Sequence, residues 1–254
     1  EGSKSDPCLW TMWDSVVNHM LIVGIYFDDC LIIGKETSVS NLLEELKKYE
    51  FNLKIEKDVV EYLSCCIVET KGERKLTMIQ PHLLNHLNQK FGEEIKDMRK
   101  FMTPGTPRFK IQKSIDDMDV LDSEHQRNYR SGVGMLLYLT KYSRPDISNI
   151  VRELSKCMDS ASWGSYQELL RVIKFVDNTK SSGLMVKPRL DENLDWNLKI
   201  FCDSDWAGDP ETRISVTGFV IYLLDVPVCW RSKSQKGVIL LSNEAEYVAI
   251  SEAV

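Results

Sequence analysis

The sequence predicts an α+β protein in three stretches, and three observations predict it. Near the start, two β-branched apolar runs, HMLIVGIY (19–26) and CLIIG (30–34), flank a polar FDD. The middle of the chain reads in helical periods with recognisable helix starts. The end changes texture, into four short apolar runs before a last helical segment. The stretches are set at 1–72, 73–190 and 191–254.

The first stretch opens on strand signals. The two runs around FDD predict an antiparallel hairpin with the carboxylates of Asp28 and Asp29 at its tip. Ser40 to Tyr49 places Leu42, Leu43, Leu46 and Tyr49 on one face, with Glu44 and Lys48 as an i,i+4 pair, so an amphipathic helix is expected. EYLSCCIVE (61–69) and KLTMIQ (75–80) predict two strands around a turn at Lys71-Gly72.

Pro81 to Phe91 predicts a helix with proline in its first turn. TPGTP, Thr103 to Pro107, breaks the pattern, and the polar segment to Asp122 reads as a loop. Helices are then expected near Tyr129–Tyr142, from SRPD onward, and over Gln167–Val176. In SRPD, Ser143 is the expected cap, Pro145 fits the first turn and Asp146 suits the positive helix end. Lys187 to Asn197 reads as a linker. LKIFCDSDW, TGFVIYL, VCWRS and GVILLS are four expected strands, and a helix follows from near Asn243.

Composition excludes several classes. Hydrophobic residues make up 43% and charged residues 28%, a globular balance. No apolar run reaches the roughly 18 residues of a membrane span, and EGSKSDPCLW has no signal-peptide layout. Seven cysteines without a C-x-x-C read as buried, reduced thiols of an intracellular protein. The net charge of -6 is not that of a typical nucleic-acid binder. Yet Lys90–Lys113 holds seven basic against three acidic residues, and Arg171–Arg189 five against one, with an acidic patch at Asp116–Glu124 between them. Each basic segment is read as a solvated face or a phosphate-binding one. SNEAEYVAISEAV stops inside a helical pattern and the chain does not begin with Met, so it reads as a piece of something longer.

Two adjacent carboxylates in an apolar setting repel each other and resist burial. Either they form a polar turn, which Asp favours, or they hold cations. The words YFDD, FMTPGTP, YRSGVGMLLYL, SRPDI, FCDSDWAGDPETR, TGFV, WRSKSQK and SNEAEYVAISEA come in an order that decides between these readings. Together they resemble the reverse transcriptase and RNase H region of copia-type LTR-retrotransposon Pol polyproteins, over nearly the whole chain.

The resemblance implies a partial polymerase palm at 1–72, a thumb and helical connection at 73–190, and the N-terminal part of an RNase H-like α/β domain at 191–254. It implies RNA-directed DNA polymerase chemistry by two Mg²⁺ ions about 4 Å apart, with Asp28 as main ligand and Asp29 as secondary one. Tyr26 and Phe27 would lie by the primer, Phe27 replacing a usual Val. Asp203 and Glu246 would be RNase H metal ligands, with Glu244 as the alternative to Glu246. The implied partners are an RNA template, a DNA primer, an RNA-DNA hybrid and the remainder of the Pol polyprotein, with no membrane. The implied location is a cytoplasmic particle or the nucleus.

The family also draws an Asp from an upstream strand and two later RNase H acids, none of them in this chain. Both two-metal sites are therefore expected to be incomplete, and the chain inactive in isolation. Ser64, Cys65, Cys66, Ile214 and Val216 depart from the family words. Two other readings compete with the first: a non-catalytic nucleic-acid-binding remnant or subunit, and an unrelated α+β structural protein.

Simpler roles are open to several of these residues. Asn243 and Glu246 fit a capping box. Asp205 and Asp209 read as loop and turn residues. Trp206, Trp230 and Tyr247 read as core residues rather than base-stacking platforms. Arg231, Lys233 and Lys236 fit a solvated edge or phosphate contacts equally well. His82 and His86 have zinc-like i,i+4 spacing, but no third ligand lies nearby in sequence, so they read as partner-less surface histidines.

Overall fold

The computed structural model describes residues 2–15, 18–49, 51–57, 59–70, 72–111, 119–189 and 196–254. The chain is mixed α and β, with three antiparallel sheets and six α-helices among the described residues. It divides into two compact units, Glu1–Asp58 and Val59–Val254. Lys71, the start of the acidic patch at 116–118, the end of the first basic segment and about half of the expected linker at 187–197 lie outside the described residues.

The first unit is a three-stranded meander followed by one helix. Strands β1 (Leu9–Asp14), β2 (His19–Tyr26) and β3 (Asp29–Ile33) pair in sequence order. Helix α1 (Glu36–Lys48) begins earlier than its apolar face suggests. Glu36 suits its positive end, and the buried Ser38 donates to Asp14 Oδ2 at 2.7 Å, fixing the helix start to β1. Gly34 lets the chain pass over Leu21, since a Cβ there would stand 2.5 Å from Leu21 Cδ1.

In the second unit, β4 (Glu61–Tyr62), β5 (Cys65–Thr70), β6 (Lys75–Ile79) and the distant β7 (Leu184–Val186) form one sheet in that order. EYLSCCIVE is therefore two strands rather than one. It folds back at Leu63-Ser64, both with left-handed backbone (φ 50° and 60°). Gly183 admits β7, because a Cβ there would meet the Met78 carbonyl oxygen at 2.1 Å.

Helices α2 (Pro81–Ile95), α3 (Ser123–Tyr142), α4 (Ser148–Ser155) and α5 (Trp163–Asn178) share one core, centred on Phe91, Tyr129, Leu136, Leu154, Tyr166 and Leu169. Asp122 caps α3 and Ser162 caps α5, each through its side chain. Ser143 is not the cap expected in SRPD: its hydroxyl donates to buried Gln80. A 3-10 turn, Pro145–Ile147, leads into α4 instead. Arg144, almost fully buried, donates to both carboxylate oxygens of Asp146 (2.9 and 2.8 Å) and to Thr179 Oγ1, so this word is a structural staple.

The TPGTP break is anchored as firmly. Buried Glu168 accepts from Thr106 N and Thr106 Oγ1, and Arg171 donates to Thr103 Oγ1 and the Gly105 carbonyl.

The third sheet orders β8 (Leu198–Asp205), β9 (Val216–Leu223) and β10 (Val226–Ser234) as β10-β9-β8, and α6 (Ser242–Ala253) packs on it. GVILLS forms no strand. Val238, Leu240 and Leu241 are exposed, and Trp206 Nε1 donates to the Ile239 carbonyl. An apolar run becomes a strand only where a sheet edge accepts it. The cysteines also depart from expectation: all are free, only Cys65 and Cys157 are buried, and Cys8, Cys30 and Cys229 are exposed. No helix among the described residues is long and apolar enough to cross a membrane.

Candidate functional site

The β2–β3 hairpin presents the first candidate site. Its register, Ile22↔Ile33 to Tyr26↔Asp29, leaves Phe27 and Asp28 as a two-residue loop. Asp29 opens β3 and Asp28 stands at the tip, both exposed. The apolar flanks dictate the pairing, and the short loop keeps the carboxylates of consecutive residues at one end of the sheet. Phe27 has left-handed backbone (φ 49°), and its ring meets Tyr26 edge-on at 5.2 Å between centroids. Among the described residues, neither carboxylate is tied to a cation or a hydrogen-bond donor.

The second candidate lies on β8 and α6. Glu246 accepts from Ser204 Oγ at 2.9 Å. Asp203 precedes Ser204 in a regular strand, so its side chain points to the opposite face. There it lines a cavity of about 410 Å³ with Pro145, Asp146, Phe201, Trp230 and others. The structure therefore brings Asp28 and Asp29 together but sets Asp203 and Glu246 on opposite faces of one sheet.

The capping box does not form. Leu241 is the cap residue of α6 and makes no side-chain cap bond, so Asn243 lies inside the helix. Glu244 is in the first turn and exposed.

Several charges prove structural. Asp209 accepts from the backbone N–H groups of Glu211 and Thr212, as a turn residue should, and also from Lys156 Nζ at 2.7 Å. Burial alone would raise its pKa. The Lys156 and Thr212 hydrogen bonds outweigh that and hold the carboxyl well below the usual range. Asp205 accepts from Lys110 at 2.8 Å. Between them sits Glu153, 2% exposed and bridged by Lys110, Arg152 and Lys156, which sequence reading missed. Its segment, VREL, reads as an ordinary helix face.

Part of each basic segment is likewise committed inside the fold. Lys110 makes these ion pairs, and Arg171 lies over the Phe101 ring at 4.4 Å. Arg231, Lys233 and Lys236 are exposed. Trp230 donates to the Thr140 carbonyl, whereas Trp206 and Tyr247 are exposed rather than core. His82 does have a partner: its Nε2 lies 3.4 Å from Glu61 Oε2.

No protein-family model and no solved structure matches the chain. Curated proteins do. The chain is 29% identical over 251 residues to the Retrovirus-related Pol polyprotein from transposon TNT 1-94 of Nicotiana tabacum, covering 98% of this chain and 18% of the relative. It is 29% identical over 251 residues to the Retrovirus-related Pol polyprotein from transposon RE1 of Arabidopsis thaliana, covering 98% and 16%. It is also 31% identical over 233 residues to the Uncharacterized mitochondrial protein AtMg00810 of Arabidopsis thaliana, covering 89% of each. The chain thus spans under a fifth of the Pol polyproteins it matches. Aligned over 98% of its length to less than a fifth of each polyprotein, the chain is a relative of the Pol polyproteins of copia-type transposons.

Proposed function

We propose that the chain is a stretch of copia-type reverse transcriptase running into the start of an RNase H domain. In this reading 1–72 belongs to the palm, 73–190 to the thumb and connection, and 191–254 to the RNase H domain. The carrying observation is the exposed hairpin tip that sets Asp28 and Asp29 side by side with no competing partner among the described residues. Hard carboxylate oxygens suit Mg²⁺. When bound, Mg²⁺ would acidify a primer 3′-hydroxyl and neutralise charge on the phosphoryl group being transferred.

The residues of the chain then have separate roles. Asp28 and Asp29 would hold the ions at the hairpin tip. The edge-on Tyr26–Phe27 pair offers an aromatic surface beside the carboxylates for the primer end. Asp203 and Glu246, the pair expected to hold a second ion on an RNA-DNA hybrid, face opposite sides of the β8 sheet and do not form one site together. Further ligands for the hairpin site would come from the remainder of the polyprotein, and the chain alone is inactive.

The test is Mg²⁺-dependent primer extension on an RNA template, comparing this chain with the same chain extended to full Pol length. Extension by the long form only, abolished by Asp28→Asn, supports the reading. A long form whose activity survives Asp28→Asn, or one that is folded and dead, overturns it.

A further inference from the structure

We propose that Glu61, Cys66 and His82 form a zinc site that clips the β4–β5 hairpin to the start of α2. The inference is independent of the Mg²⁺ chemistry above. One ligand atom from each side chain, a carboxylate oxygen, Sγ and an imidazole nitrogen, lies within 4.8 Å of the other two. Three local features converge to produce this. Glu61 and Cys66 are direct cross-strand partners in the antiparallel pair. Cys66 pairs on its other side with Ile79, the last residue of β6. Two residues on, Pro81 starts α2, and His82, the next residue, lies back beside the pair. Strand alternation separates the two neighbouring thiols: Cys65 enters the core at 1% exposure and Cys66 faces the cluster.

The His82–Glu61 distance and the ligand types point to the ion. The Nε2–Oε2 separation of 3.4 Å is long for a hydrogen bond. It matches two ligands of one tetrahedral zinc, where bonds of about 2.0–2.2 Å put N and O about 3.3–3.5 Å apart. A thiolate, an imidazole and a carboxylate are all zinc ligands. Mg²⁺, by contrast, takes an all-oxygen shell. Two anionic ligands neutralise the ion, and a fourth position is left for water. The ion would also hold Leu63-Ser64 in its left-handed turn, a backbone conformation that disfavours residues with a Cβ.

The experiment is a Co²⁺ titration of the metal-free full chain, followed by displacement with Zn²⁺. One equivalent of Co²⁺ should develop a thiolate charge-transfer band and tetrahedral d–d bands. Zn²⁺ should remove both, and a large excess of Mg²⁺ should remove neither. Cys66→Ser should eliminate the charge-transfer band. His82→Ala and Glu61→Gln, at exposed positions that leave the fold intact, should each weaken binding at least about 10-fold. His86→Ala, Cys8→Ser and Cys30→Ser should leave it unchanged. The site is refuted if no band saturates at one equivalent, if Cys66→Ser keeps the band, or if His82→Ala binds as tightly as the parent chain.

Discussion

At the residue scale, Phe27 shows how a local cost sits beside a candidate catalytic pair. It is 88% exposed and holds left-handed backbone at φ 49°, a region that disfavours bulky side chains and tolerates Asn. Phe27→Asn should therefore stabilise the first unit by about 0.5–1 kcal/mol, read as a higher urea midpoint by fluorescence of Trp10 and Trp13. A lower midpoint would mean that the Tyr26–Phe27 ring contact outweighs the backbone strain. The tip itself was legible, since two apolar β-branched runs around FDD leave few other foldings. The backbone of Phe27 was not, because turn geometry sets it. Cysteine burial was misjudged for a related reason. Composition cannot tell which neighbour in Cys65-Cys66 faces inward, and alternation allows only one to do so.

At the scale of elements, helices were read more accurately than strands. The apolar period of α2, α3 and α5 survives in their buried faces, and side-chain caps extend α3 and α5 beyond the expected ends. Strand β1 escaped notice because LWTMWD has no clean alternation. Its existence depends on the pairing Leu9↔Gly24 to Asp14↔His19. Strand β7, three residues long, is below any periodicity window, and GVILLS made the opposite error. What defines β7 is a close approach at Gly183, where a Cβ would strike a backbone carbonyl. Gly183→Ala should consequently detach β7 from β6 and destabilise the second unit by about 1–3 kcal/mol. Thermal denaturation monitored by circular dichroism checks this, and an unchanged transition would show that the sheet relaxes around the methyl group.

Across the whole molecule, the order of strand-rich, helical and strand-rich stretches was legible. The charges that join them were not. Glu153 on α4 gathers Lys110, Arg152 and Lys156, and those lysines reach Asp205 and Asp209 around the third sheet. Such a cluster is assembled from residues about 100 apart, so no window on the sequence contains it. It carries a pH signature. The folded-state pKa of Asp209 is depressed, so its contribution to stability is complete above the ordinary carboxylate value of about 3.9 and fades as pH falls toward the folded value. The melting temperature of the second unit should fall on acidification below about pH 4, and Asp209→Asn should flatten that fall. Parallel profiles for the two proteins would remove Asp209 from the account. The late arrival of β7 has a temporal consequence as well. The edge of β6 that it covers is synthesised roughly 100 residues before its partner, an interval of about 5–20 s at ordinary elongation rates. Throughout that interval the nascent chain exposes an unpaired β-edge on the ribosome, and a chaperone or a neighbouring nascent chain can reach it before Leu184–Val186 does.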